Sequence, residues 1–422
     1  MRETQVHSRE QLDRMGGSPM WLAVTAIAAT PIAIANPSRA AQWRDANKEA
    51  DMNGGTEDTR VKDELRHTLH DLACLHGISG FEQQVCRYVR QRFRTLVEEV
   101  EIDRYGNVTA TKRGRQSTPR LMISAHMDEI GFIVKGIEQN GFLRFDRIGG
   151  VGDALLSCRK VDVAGKFGLI GSISGHLGSA DRLSRVTPIG ELYIDVGASS
   201  AAEVATMGIR VGDPVSFIGE LTAFFDGDRV CGKGMDDRAG LAILIQILTE
   251  LRDEVPPGSV LAVATVLEQV GHRGAAMAAH RIKPDYAIAI DGVPAGDTPD
   301  LSTTRDIPVL MGHGAVVLLA TSTGEHNIRG NIAHPAMKRL LLAAADARQI
   351  PVQLATTINR GSTEAGLIHI SRDGIPAISV GVPRRYSYSP HEMVDLRDAA
   401  AAVELIVHFI RDMENHNILC FE

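Results

Sequence analysis

Leu121-Met122-Ile123-Ser124-Ala125-His126 is a short apolar run that stops on an imidazole. The pattern recurs. Residues 260–267 end at Glu268, residues 286–290 end at Asp291, and residues 376–382 lead into the segment around Tyr388. Unbroken apolar runs of this length suit strands covered on both faces, as in a parallel sheet. Helical patterns lie around and between them, at 61–75, 81–96, 237–252, 274–281, 334–348 and 396–413. Ser79 stands where the N-cap of the second helix is expected. Alternation of such strands with helices predicts an α/β fold, a mostly parallel sheet flanked by helices.

Two stretches fall outside that rhythm. Residues 137–228 are rich in glycine and β-branched residues in short alternating runs, with one helix expected at 201–207. They read as an inserted all-β domain, which leaves the α/β domain in two pieces, 61–136 and 229–422. Residues 1–60 read as an N-terminal extension, disordered or not native. Its apolar run at 20–35 contains Pro31 and is shorter than the roughly 20 residues of a membrane span. Arg2, Arg9 and Arg14 are offset by Glu3, Glu10 and Asp13, so the positive segment of an export signal is missing. An upstream start codon, with Met52 as the natural start, ranks ahead of a weak export signal and of a disordered arm.

The bulk properties exclude several classes. With 422 residues, 44% hydrophobic and 23% charged, the chain can bury a sizeable core over two or three domains. A net charge of -7 gives no electrostatic reason to bind nucleic acid or an anionic membrane. Aromatic residues at 5% leave little for base stacking. Cys74, Cys86, Cys158, Cys231 and Cys420 are scattered, with no Cys-x-x-Cys pair. That speaks against a disulfide framework or a thiolate zinc knuckle and suits a reducing, cytoplasmic location.

Ligands of open α/β sheets bind at the carboxyl ends of the strands. Those ends carry His126, Glu268, Asp291 and Tyr388, and Asp236 sits where 232–235 leads into a helix. An imidazole with carboxylates is a donor set for Zn, Mn or Co. Asp128, two residues after His126, is placed to hold a metal-bound imidazole by a hydrogen bond from its carboxylate. Glu268 suits a general base acting on water. Each residue alone has a plainer reading. Histidines after strands are mostly structural, an aspartate such as Asp236 or Asp237 mostly caps its helix, Asp291 before glycine suits a turn, and Glu268 suits solvent. Their fall at equivalent ends of separate strands carries the case. Other signals fail: His391-Glu392-Met393-Val394-Asp395 lacks the second histidine of a zincin helix, and Gly232-Lys233-Gly234 lacks the third glycine of a dinucleotide loop. Neither Gly-x-Ser-x-Gly nor a Walker loop occurs.

Five ordered motifs resemble those of metallopeptidase family forty-two, the glutamyl, deblocking and tetrahedral aminopeptidases. They are Ser124-Ala125-His126-Met127-Asp128-Glu129-Ile130-Gly131, Gly234-Met235-Asp236-Asp237-Arg238-Ala239-Gly240, Leu267-Glu268-Gln269-Val270-Gly271-His272-Arg273-Gly274-Ala275, Ala289-Ile290-Asp291, and Arg385-Tyr386-Ser387-Tyr388-Ser389-Pro390. The similarity runs over about residues 62–415. It implies a hydrolase that cleaves N-terminal residues from short peptides or related amides. It implies His126 and Asp291 on one divalent ion, Asp236 bridging to a second, Glu268 as general base and Asp128 orienting His126. It also implies that the inserted β domain dimerises and that dimers pack into a homo-oligomer as large as a dodecamer. Two second-metal positions depart from the family: Gln269 stands where a glutamate is usual and Tyr388 where a histidine is usual. A neutral amide oxygen and a phenol that must ionise are poorer ligands, so the second site is expected to be weakened. A catalytically degenerate member that binds peptide or metal, or serves only in assembly, is the alternative. Glu364 replaces a usual aspartate and is expected to keep the charge. His272 and His391, near the altered positions, are expected at the surface.

Overall fold

The computed structural model describes residues 57–173, 175–180, 184–324 and 328–415. Residues 1–56 of the N-terminal extension, and Cys420, lie outside these. The first helix, Glu57–Ala73, starts ahead of residue 61, so the last residues assigned to the extension are helical.

Four parallel strands form the centre of a 12-stranded sheet, in the order Ser259–Thr265, Arg120–His126, Tyr286–Pro294, Ala377–Arg385. In the strand Arg120–His126 every residue after the arginine is buried. Its side chains alternate between two cores, as a strand with both faces covered requires. Leu121, Ile123 and Ala125 join the large core with the helices Glu57–Ala73, Met235–Glu250 and Leu396–Arg411. Met122 joins a smaller core with the alanine-rich helix Arg273–Ile282 and the short helix Ala365–Ile368. The Met235–Glu250 helix is buried from Met235 to Leu248. A helix apolar on all sides belongs in the interior, and this one lies between the sheet and the two outer helices.

The flanks of the sheet are antiparallel. On one side are Val108–Lys112 and Glu99–Ile102, the pair expected over 97–112. On the other, Glu392–Asp395 pairs with both Ala377–Arg385 and Arg229–Gly232. Ala315–Thr323 also runs antiparallel to Ala377–Arg385 and carries two further strands.

Six strands between Gly131 and Phe217 close into a separate barrel: Gly131–Ile137, Leu143–Ile148, Tyr193–Asp195, Lys166–Gly171, Lys160–Val163 and Pro214–Phe217 in spatial order. Its core stacks Phe132 edge-on against Phe145 and Phe217, with ring centroids 5.1 Å and 5.3 Å apart. The first barrel strand starts directly after the His126 segment, ahead of residue 137. The expected helix is present as Ala201–Thr206, with Ser200 accepting from the Glu203 N–H.

Two local expectations are corrected. Ser79 does not cap the second helix, Gln83–Arg94, whose N-cap residue is Glu82; its hydroxyl donates to the Asp128 carboxylate instead. Asp291 does not end its strand, because pairing with Ala377–Arg385 continues through Pro294. Lys233, from the rejected glycine loop, is buried. Its ammonium donates to both Glu129 oxygens at 2.6 Å and 2.8 Å and to the Leu75 carbonyl at 2.6 Å. This pair ties the entry of the Met235–Glu250 helix to the segment that follows His126.

Candidate metal centre

Three of the expected ligands converge. His126 ends a central strand, and Asp291 lies on the next one over. Asp236 sits at the entry of the Met235–Glu250 helix, where Asp236 (φ -90°, ψ 96°) and Asp237 (φ -124°, ψ 46°) are not yet helical. That distortion separates two adjacent aspartates by task. Asp237 accepts from the Gly240 N–H at 2.9 Å and caps the helix. Asp236 turns to the sheet, with Oδ1 3.2 Å from His126 Nε2. One donor atom from each of His126, Asp236 and Asp291 falls within 4.8 Å of the others, and all three residues are buried.

The imidazole is held from behind, but not as expected. His126 Nδ1 lies 2.9 Å from the Asp128 backbone carbonyl, which makes Nδ1 the donor and leaves Nε2 facing the carboxylates. The Asp128 carboxylate is 3.8 Å from that ring nitrogen. It accepts instead from the Ser79 hydroxyl and from the backbone N–H groups of Glu268 and Gln269, at 2.9 Å and 3.0 Å. Asp128 therefore steadies Glu268 through its side chain and His126 through its main chain.

Negative charge is in excess here. Burial, then the charges of Asp236 and Asp237, push the Asp291 carboxyl well above the carboxylate range. Burial disfavours a charged His126, yet the Asp236 hydrogen bond and the charge of Glu268 outweigh it and raise the imidazole. Burial also opposes ionisation of Asp236, but Arg384 and His126 prevail and lower it. Glu268 Oε2 and Asp237 Oδ2 are buried without a hydrogen-bond partner. An imidazole nitrogen and two carboxylates around one point, amid uncompensated buried acid, fit a divalent cation.

Glu268 borders this group and lines the same cleft. His272, expected at the surface, is buried beside it, with Nδ1 2.6 Å from Glu268 Oε1 in a charge contact that is not an aligned hydrogen bond. Its other nitrogen is 3.0 Å from the Ser362 hydroxyl. Burial lowers the His272 pKa, but Glu268 raises it further. His391 is exposed as expected. Glu364 lies 1% exposed under the cleft and accepts from the Thr265 hydroxyl. Burial and the charge of Glu268 push its carboxyl up to about 7, so the charge expected there is only partly kept.

The two altered positions meet a group that the sequence reading missed. Arg384, 2% exposed, places Nη1 2.6 Å from Asp236 Oδ2 and 3.0 Å from Glu392 Oε1. Burial would lower its pKa, but Asp236 and Glu392 raise it, so it stays charged. The Tyr388 ring stands over this guanidinium, 5.5 Å from centroid to Cζ. The charge of Asp236, followed by burial, raises the Tyr388 phenol above its ordinary value, against the ionisation that metal binding would need. Gln269 and Tyr388 both abut the Gly149–Gly150 turn. A Cβ on Gly149 would lie 3.0 Å from Gln269 Oε1, and one on Gly150 would lie 3.6 Å from the Tyr388 ring. Glu392 anchors this corner by accepting from the Asp236 and Tyr388 N–H groups at 3.0 Å and 2.8 Å.

A sequence profile of the M42 glutamyl aminopeptidase family matches residues 106–405. A curated relative, the putative aminopeptidase SgcX of Escherichia coli (strain K12), is 36% identical over 349 residues, which is 81% of this chain and 92% of that protein. Among solved structures, aminopeptidase APDkam598 from the archaeon Desulfurococcus kamchatkensis superposes with a TM-score of 0.78 at 35% identity, covering 84% of this chain and 98% of that one. The Pyrococcus horikoshii TET1 peptidase, which assembles into a tetrahedron or a large octahedral shell, superposes with a TM-score of 0.72 at 29% identity, covering 82% and 99%. Fold, site motifs and relatives agree: this chain belongs to the M42 family of aminopeptidases.

Proposed function

We propose that this aminopeptidase removes N-terminal residues from short peptides with one divalent ion (Zn, Co or Mn) held by His126, Asp236 and Asp291, while its second metal position is weakened. The convergence of those three donors within 4.8 Å, beside Glu268, carries the reading. When bound, the ion supplies Lewis-acid polarisation of the scissile carbonyl and acidifies water. The chain does the rest. Asp128 fixes the backbone of Glu268 and Gln269, so the Glu268 carboxylate stays at the cleft wall. Glu268 takes a proton from the attacking water and returns it to the leaving amine. The buried His272 beside it stabilises the carboxylate between these transfers.

The barrel within residues 137–228 is proposed to dimerise, and the dimers to build a larger shell. Exposed Phe167 and Leu169 on a barrel strand support this, since apolar side chains on an outer face favour association. A cytoplasmic location is supported by the unpaired thiols of Cys74, Cys86, Cys158 and Cys231.

Release of free amino acid from a short peptide panel tests the activity. Dialysis against a chelator is expected to lower the rate by more than ~10²-fold, and Zn, Co or Mn to restore it. A rate indifferent to chelation would refute the metal reading.

A further inference from the structure

A carboxylate that bridges two cations presents one oxygen to each. Asp236 does so with two unlike partners. Its Oδ1 belongs to the group with His126 and Asp291, and its Oδ2 is 2.6 Å from Arg384 Nη1. We propose that the Arg384 guanidinium is a tethered cation standing where a second metal ion would sit, so this chain takes a single divalent ion. The proposal rests on the metal reading of the His126 group given above.

The place is built for the guanidinium. Gly292 leaves it room, because a Cβ there would lie 3.1 Å from Arg384 Nε and 3.2 Å from Cζ. Glu392 Oε1 takes a second contact from Nη1 at 3.0 Å. The Tyr388 ring at 5.5 Å offers its π face, whereas an imidazole in that position would offer a donor or a like charge. Charge balance also closes. Exchanging a doubly charged ion for one guanidinium removes a positive charge, and exchanging a glutamate for Gln269 removes a negative one. The departures at 269 and 388 and the presence of Arg384 are then one coordinated change. A second ion could not share the corner, because Arg384 already uses the Asp236 oxygen that it would need. The like charges would also repel at contact distance.

The test loads intact protein with excess Mn(II), counts ions by mass spectrometry and records the electron paramagnetic resonance spectrum. Wild type is expected to hold about one ion per chain with an uncoupled spectrum. The variant Arg384→Ala/Gln269→Glu/Tyr388→His is expected to hold about two, exchange-coupled through Asp236 as ions ~3.5–4 Å apart are. A coupled pair in wild type overturns the proposal and leaves the His126 site standing. A folded triple variant that still holds one ion overturns it as well. Wild type that takes no ion refutes the His126 reading and this proposal with it. If the triple variant does not fold, Arg384→Ala alone decides: it is expected to gain a second, weaker Mn(II) site from which methylguanidinium displaces the ion, and no gain overturns the proposal.

Discussion

Replacing Glu268 by glutamine is expected to lower kcat by about 10²–10⁴-fold while metal content and thermal stability stay near wild type. The amide keeps the shape of the side chain and cannot accept the proton. Glu268 Oε2 has no hydrogen-bond partner despite its burial, so few structural contacts are lost with the charge. The backbone at 268 is fixed separately, by the Asp128 carboxylate, and stays in place in the variant. Steady-state kinetics on an aminoacyl anilide, with a melting curve and an ion count on the same sample, make the check. A loss of only a few fold would move the base elsewhere. A loss that follows unfolding would make Glu268 a structural residue.

Lys233→Met is expected to destabilise the fold by about 3–5 kcal/mol, the usual effect of removing one member of a buried ion pair. Glu129 lies 2% exposed and Lys233 1% exposed. Burial alone would raise the Glu129 carboxyl, yet Lys233 and Arg238 hold it below its ordinary value. Without the ammonium, that charge is left with the more distant Arg238 guanidinium at 3.8 Å and the Gly77 N–H at 3.2 Å. Lys233→Met/Glu129→Gln is expected to recover most of the loss, because no uncompensated carboxylate remains and the amide oxygen still accepts from Gly77. Urea midpoints of the two variants and wild type give the comparison. Equal loss in the single and double variants would show that the stem packing of Lys233, not its charge, is what matters.

The parallel core was legible because burial on both faces leaves a direct trace: runs such as 121–125 and 260–264 have no polar alternation. The ligands were legible for a related reason, since polar residues stand out where such runs stop. Asp291 shows the limit of that rule. The apolar run ends there, but backbone pairing depends on the neighbouring strand and continues to Pro294. Side-chain partners were harder to read than positions. Asp128 was correctly seen as a support for His126, yet the carbonyl and not the carboxylate does the holding, and local spacing does not distinguish the two.

Arg384 went unseen because Arg384-Arg385 at a strand end looks like surface charge. Alternation along the strand separates the pair: Arg385 pairs with Asp297 at 2.7 Å, while Arg384 turns into the site. The available signal was Glu392, noticed only as part of a failed zincin motif. His272 was hidden in the same way. Its burial depends on the fold around Glu268 and Ser362, and nothing in the residues beside it announces that.

A crystal grown with Zn(II) or Co(II), with anomalous data collected across the metal edge, tests the metal centre most directly. One peak is expected about 2.0–2.2 Å from His126 Nε2 and from a carboxylate oxygen of both Asp236 and Asp291. A map with no peak among those three residues, from protein that cleaves peptides in the same buffer, would contradict the account.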